Sequence, residues 1–386
     1  MTRPQKGYLY KAFGAWHVRY REDVWQPDGT TKRVQVSKRI ASLEECPRKA
    51  DAQRLAYEMM YMVNTEVTSP CSTMPLVRFV EEVYLPHVEA QNRASTLKGY
   101  RNIWRTQIKP RVGEIRVRDF RTWNGERLLK RIASELGLSR SSLKHTKSVL
   151  SAIFKHTKRC GAISGVNPVQ DVSIPHARES EDTHAYSLEE IYRMLELLPD
   201  PALTVVATAA FTGLRKGELR GLRWENYTGE EIQVRHSVWN RHVTDPKTRK
   251  SKAPVPVIAP LQKFLERYRA AVGQPQTGWM FAAGKGTPLH LDNLARRVIK
   301  PLLEKAGIEW HGWHAFRRGL ATTLQRQGVT IKTAQAILRH ADYETTANHY
   351  IKTVDADAVQ AMELVEKACN ERAMEAFEAS SATVVN

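Results

Sequence analysis

Two arginines, a lysine, two histidines and a tyrosine, spread through the last half of this 386-residue chain, are the residues whose types could do chemistry together. The arginine of Thr212-Gly213-Leu214-Arg215-Lys216-Gly217-Glu218-Leu219 follows an apolar stretch, 202–211, that reads as a buried helix ended by glycine. A cation delivered there sits at the rim of a core, and Glu218, one turn on, is placed to orient Arg215 by a bidentate bond. Lys247 lies in Asp245-Pro246-Lys247-Thr248-Arg249-Lys250, at the tip of an expected hairpin. His314 and Arg317, three apart, share a helix face. His340 ends an amphipathic stretch built on Ile331, Ala334, Ile337 and Leu338, and Tyr350 follows past Thr345-Thr346.

Each of these taken singly has a plain structural reading: an arginine–glutamate pair at a helix end, a solvated basic turn, a core histidine, a packed tyrosine. His311 and His314 would also be the start of a metal site, but no cysteine or carboxylate stands at ligand spacing, and no metal is expected. As a set they suit metal-free phosphoryl transfer to a tyrosine. Arg215 and Arg317 would clamp the non-bridging oxygens of a phosphate and neutralise the charge that grows in the transition state. His314 and His340 would donate hydrogen bonds or exchange protons. Tyr350 would attack phosphorus, needing help from nearby cations because a phenol ordinarily titrates near pH 10. Lys247 would protonate the leaving oxygen. No cofactor is called for, since a phosphotyrosyl bond keeps the energy of the bond it replaces.

The elements that must position these groups fall into separate regions. Residues 1–66 read as a three-stranded sheet with a covering helix: Tyr8 to Phe13, then Trp16, Val18 and Tyr20 alternating with His17 and Arg19, then Val34 and Val36, with a turn at Pro27-Asp28-Gly29 and a helix over 47–64. Residues 65–74 read as a linker. Residues 75–168 read as a helical domain of four helices: one opened by Pro75, one capped by Ser95 and running towards Ile108, ended by Pro110 and Gly113, one over 122–136 stopped by Gly137, and one capped by Ser139. Residues 167–185 read as a second linker. Residues 180–353 read as a larger, mainly helical domain with a sheet-like insert near 230–258, and 354–386 as an amphipathic tail. The fold class expected is therefore mainly α, multidomain, with small sheets.

Charge points to the partner. The chain carries 59 Lys and Arg against 41 Asp and Glu, a net +18, and a surplus of that size favours a polyanion such as DNA. Residues 71–180 hold 20 basic and 9 acidic residues, whereas 354–386 hold 2 and 7; the tail is therefore not expected to touch DNA. Arg19, Arg21 and Lys38 on the strands, and Lys98, Arg101, Lys144 and Lys147 on the helices, are the candidate DNA contacts. The four cysteines form no CxxC pair, the N-terminus lacks a signal-like apolar core, and no apolar run nears the roughly 18–20 residues of a membrane span. These features predict a cytoplasmic protein without a membrane partner.

In order and spacing, Arg215, Lys247, His314-x-x-Arg317, His340 and Tyr350 resemble the tyrosine recombinase family, specifically the integrases of phages and integrative elements. The resemblance implies a site-specific recombinase that cleaves and rejoins double-stranded DNA at attachment sites through a 3′-phosphotyrosyl intermediate, integrating or excising an element. It implies a homo-tetramer on DNA, accessory DNA-bending or excisionase proteins, an arm-type DNA-binding domain at 1–66, a core-binding domain at 75–168, and a tail that docks on a neighbouring protomer. Glu218 matches a position where the family often supports its first arginine. The same chemistry would serve a type IB topoisomerase or a telomere resolvase, and the same fold a non-catalytic DNA-binding regulator. Two positions depart from the family pattern. Arg339 stands where glycine is common and Arg318 where histidine is common, and both are expected to add positive charge near the phosphate.

Overall fold

A computed structural model describes residues 4–26, 28–65, 70–179, 183–246, 252–340 and 342–350. The chain divides into two compact units, 1–181 and 182–386.

In the first unit the alternation of Trp16, Val18 and Tyr20 does what period two dictates. Strands β1 (Tyr8–Ala12), β2 (Ala15–Trp25) and β3 (Thr31–Ser42) form an antiparallel sheet in that order. The three apolar side chains are buried on one face, against Ala52, Ala56 and Met60 of helix α1 (Lys49–Thr65). A sheet this small is stable only when covered, and α1 supplies the cover. The sheet is also tied to the helices that follow. Arg118 pairs with Glu22 through both carboxylate oxygens, the Trp25 amide donates to Thr73 Oγ1 at 2.9 Å, and the Trp25 ring packs on the helical core.

Those helices are α2 (Leu76–Phe79), α3 (Leu85–Gln91), α4 (Ala94–Ile103), α5 (Lys109–Val112), α6 (Thr122–Leu136) and α7 (Arg140–Arg159). Gly137 and Ser139 end α6 and cap α7 as the sequence suggests. Pro110 does not end its helix. The backbone widens into a π turn at Trp104–Ile108 and continues through the proline to Gly113. The same device precedes Pro86, at Val80–Tyr84. A proline lacks the N–H and crowds the carbonyl four residues back, and a widened turn removes both conflicts. Ser95 lies inside α4, whose cap position is Arg93.

Both expected linkers carry packed residues. Pro70–Thr73 forms a short helical turn, and Cys71 and Met74 join the helical core. Val169 and Val172 are buried in that core, with Ile174 and Ala177 against it. Gly125 makes room for this segment, since a Cβ there would lie 2.6 Å from Val172. Irregular backbone shows no period, so these apolar side chains gave no periodic signal.

The second unit contains α8 (Leu188–Leu197), α9 (Ala202–Thr212), α10 (Lys216–Arg220), strands β4 (Glu231–Ile232), β5 (Ser237–Trp239), β6 (His242–Thr244) and β7 (Val255–Pro256), then α11 (Ala259–Ala271), α12 (Leu291–Leu294), α13 (Lys300–Lys305), α14 (Trp313–Arg326), α15 (Ile331–Leu338) and α16 (Tyr343–Tyr350). β4 pairs with β7 and β5 with β6, which is the sheet-like insert. A third π turn, Ala295–Ile299, precedes Pro301. Helix α9 is buried nearly all round. Its threonines are satisfied internally, Thr208 and Thr212 donating to the carbonyls of Thr204 and Thr208. Helix α14 lies so close to the segment before α8 that a Cβ on Gly319 would collide with the Tyr186 carbonyl. Among the described residues no helix is long and apolar enough to cross a membrane.

Gly319→Ala is expected to destabilise the second unit by about 1–3 kcal/mol, the usual penalty of overpacking. Calorimetry would show this as a lowered melting temperature, and an unchanged one would mean that α14 has room to move off Tyr186.

Candidate active site

Among the described candidate side chains, Arg317 is the most constrained. It sits one turn into α14, 7% exposed. Its Nη1 donates to the Gly213 carbonyl at 2.6 Å, its Nη2 to the Leu338 carbonyl, and its Nε to His340 Nε2 at 3.1 Å. One guanidinium thus joins the ends of α9 and α15 to α14. Gly213 is required for this approach. It holds a left-handed backbone (φ 61°), and a Cβ there would press on Leu320 and Leu338 at 3.0 and 3.2 Å. Burial first, then the charges of Arg215 and Arg339, push the Arg317 guanidinium down to about 9, with Glu218 opposing them. The group keeps its charge at pH 7, in surroundings that an incoming phosphate anion would relieve.

The contacts of His340 fix its tautomer. Arginine Nε only donates, so His340 Nε2 accepts and Nδ1 carries the proton. Nδ1 lies 2.8 Å from Thr346 Oγ1, which is fully buried on α16. Both ring nitrogens are thereby engaged, one towards α14 and one towards α16. Tyr350 is the last residue of α16, one helical turn beyond Thr346.

Arg215 is the N-cap of α10 and Glu218 its third residue. Arg215 Nη1 donates to Glu218 Oε1 at 2.9 Å, and the Arg215 amide donates to Oε2 at 3.1 Å. The Arg215 side chain is 35% exposed and Glu218 is 4% exposed, so the carboxylate is a buried anchor for an accessible cation. Helix α10 also holds the β5–β6 hairpin: Arg220 donates to the carbonyls of Val238, Asn240 and Leu289. Gly217 and Gly221 let the strand approach, since a Cβ on either would strike Ser237 Oγ or the His236 carbonyl. The hairpin leads to Lys247, which lies outside the described residues. Lys252, on its return, pairs with Asp245 at 2.7 Å.

His314, at the exposed start of α14, lies in the field of these cations. Crowding by protein atoms, then the charges of Arg317, Arg318, Arg215 and Lys216, hold its imidazole below the usual 6.5. His311 is taken up elsewhere, stacked on His184 at 4.0 Å with its amide donating to Tyr186 Oη. Among the described residues no group of His, Cys, Asp or Glu is arranged to hold a metal ion.

The two departures do not add free cations to the pocket. Arg318 Nε donates to the His184 carbonyl at 2.7 Å. Arg339 is buried, its side chain 1% exposed, and its Nη2 lies 2.8 Å from Glu218 Oε2. Its backbone is left-handed (φ 55°), which explains why glycine suits this position and costs arginine about 1–2 kcal/mol. The roles of Thr346 and Arg339 were not read from the sequence. A threonine after a helix start and an arginine in a basic chain carry no signal until the fold sets them beside His340 and Glu218.

The candidate DNA contacts lie in the first unit. Arg19 and Arg21 share the sheet face opposite α1. There Tyr10 stacks on His17 and lies under Arg19, whose Cζ is 4.7 Å from the ring centroid. Lys38 pairs across from Val18, a position on the covered face, so it does not belong to that group. Lys98 and Arg101 lie on α4, Arg101 paired with Glu89, and Lys144 and Lys147 lie on α7, Lys147 donating to the Gln170 carbonyl.

Residues 185–356 match the phage integrase family, so the second unit carries a phage integrase family domain. A tyrosine recombinase XerC-like protein of Caldanaerobacter subterraneus subsp. tengcongensis is 26% identical over 260 residues, 59% of this chain and 66% of the relative. The ICEBs1 integrase of Bacillus subtilis is 29% identical over 235 residues, 56% of this chain and 62% of the relative. The chain thus spans just under two thirds of these relatives. Among solved structures, the Tn1549 transposon integrase in complex with transposon right end DNA is similar over 74% of this chain and 99% of its own, with a TM-score of 0.61 and 18% identity. The lambda integrase dimer bound to a COC′ core site is similar over 89% and 94%, with a TM-score of 0.56 and 16% identity. These two share the fold.

Thr346→Val is expected to remove the hydroxyl that meets the buried Nδ1–H of His340, at about 1–3 kcal/mol, and to slow tyrosine-dependent DNA cleavage, whereas Thr346→Ser retains both stability and rate. Denaturant titration beside a single-turnover cleavage assay checks this, and equal behaviour of Val and Ser would remove Thr346 from the site.

Proposed function

We propose that this protein is a site-specific DNA recombinase of the integrase type, cutting and rejoining double-stranded DNA at attachment sites through a 3′-phosphotyrosyl bond to Tyr350. The observation that carries the reading is the cationic pocket. Arg317 is locked between the ends of α9 and α15, Arg215 is anchored on buried Glu218 yet accessible, and His340 ties Arg317 to the helix that ends in Tyr350. Both arginines would bind the non-bridging oxygens of the scissile phosphate and stabilise the charge of its transition state. His314, held neutral at pH 7, would donate to or accept from the same group. His340, with its nitrogens already engaged, serves first to hold Arg317 and α16 in register. Lys247, in the segment that follows the β5–β6 hairpin, would protonate the departing 5′ oxygen.

The relatives support the substrate, since the Tn1549 and lambda integrases are solved with DNA. The domain division follows the same reading: 1–66 as an arm-type DNA-binding module using the Arg19–Arg21 face, 75–168 as a core-binding domain extended by the packed segment to about 177, 180–353 as the catalytic domain, and 354–386, which lies outside the described residues, as a contact between protomers. Four copies on DNA, with accessory DNA-bending or excisionase proteins, complete the proposed assembly in the cytoplasm.

Tyr350→Phe should bind an attachment-site duplex as the wild type does and form no covalent complex with it. A duplex nicked just past the cleavage position traps the intermediate, and a denaturing gel reads it. Covalent product from the phenylalanine variant would remove Tyr350 as the nucleophile.

A further inference from the structure

We infer that Arg339 is a positioning residue for Arg215, acting through the carboxylate they share. The inference rests on the reading of the pocket as a phosphate site. Three observations carry it. First, Glu218 receives Arg215 Nη1 on Oε1 and Arg339 Nη2 on Oε2, at 2.9 and 2.8 Å. Second, exposure grades along the chain of charges: the side chains of Arg339 and Glu218 are 1% and 4% exposed, whereas Arg215 is 35% exposed. The buried pair is a fixed base and the outer arginine is the member that a ligand can reach. Third, Arg339 keeps a left-handed backbone that glycine would adopt without strain, so the side chain must return something for the strained geometry.

The charge logic is specific. Removing one partner of a buried pair leaves an uncompensated charge behind. Without Arg339, Glu218 Oε2 would lose its side-chain donor, and the carboxylate would be left to draw the Arg215 guanidinium inward onto both oxygens, away from the pocket. With Arg339 in place, Oε2 is occupied and Arg215 is held through Oε1 at the pocket rim. Arg339 also carries the backbone of the turn that presents His340, so the same side chain links that turn to the base of α10. Arg339 touches no reacting atom in this scheme. Its effect passes through Glu218 to Arg215.

The test is single-turnover formation of the covalent complex on the nicked duplex, with DNA affinity measured in parallel, for wild type, Arg339→Gly, Arg339→Met, Arg339→Lys and Glu218→Gln, and for Arg339→Gly combined with Glu218→Gln. Arg339→Gly removes the backbone strain, so a role confined to folding would leave the cleavage rate intact. The expected result is a rate at saturating DNA reduced about tenfold or more, since small misplacement of a catalytic group costs on the order of 10²-fold, with DNA affinity unchanged and partial recovery in Arg339→Lys. In the Glu218→Gln background the glycine substitution should cost less than about twofold, because the two residues act on one path. Arg339→Met keeps the bulk without the charge and replaces the glycine variant should that one fail to fold; it should show the same loss. A wild-type rate in Arg339→Gly or Arg339→Met, or a loss that multiplies in full on top of Glu218→Gln, overturns the inference while leaving the recombinase reading intact. No covalent complex from wild-type protein on bound DNA overturns both.

Discussion

The second unit depends on a single buried cation. Arg317 places its guanidinium on the Gly213 carbonyl, the Leu338 carbonyl and the His340 ring, and these bonds close the ends of α9 and α15 onto α14. Helix ends leave carbonyls without intrahelical partners, and an arginine fork is suited to collecting them. The resulting joint fixes where α9 delivers Arg215 and where α15 delivers His340. A buried guanidinium is costly unless its donors are satisfied, and here the satisfaction of the charge and the assembly of the pocket are one set of bonds.

From that joint the remaining geometry follows in two directions. Through His340 it reaches Thr346 and the helix that ends in Tyr350, so the element of the proposed nucleophile is registered against Arg317 by the His340 imidazole. Through the end of α9 it reaches α10, where Glu218 anchors Arg215 and Arg220 secures the hairpin leading to Lys247. The pocket holds an excess of positive charge, which is why burial and neighbouring cations together disfavour the charged Arg317 and hold His314 neutral. A phosphate would be the missing counter-charge.

Much of this was legible in the sequence because chemistry and periodicity leave marks. The sheet alternation at Trp16, Val18 and Tyr20, the glycine and serine that end α6 and cap α7, and the apolar run of α9 all came through. What did not come through depended on long-range contact. Val172 belongs to the helical core through Gly125, and irregular backbone gives no period to announce it. Pro110 reads as a stop, yet a π turn carries the helix past it. Lys38 falls on the covered sheet face because it pairs across from Val18 and keeps step with Val36. Arg318 and Arg339 read as added pocket charge; their charges do reach His314 and Arg317, but one guanidinium is held on the His184 carbonyl and the other on a buried glutamate. In a chain with 59 basic residues, type alone does not separate the cations that meet DNA from those that hold the protein together.

The most direct test of the central joint is single-turnover covalent-complex formation by Arg317→Lys. Lysine keeps the charge but loses the fork that reaches Gly213, Leu338 and His340 together. The account predicts a rate lowered on the order of 10²-fold, the scale of losing one preorganised transition-state donor, on DNA that the variant still binds. A rate close to that of the wild type would show that a point charge suffices, and would contradict the claim that this arginine assembles the pocket.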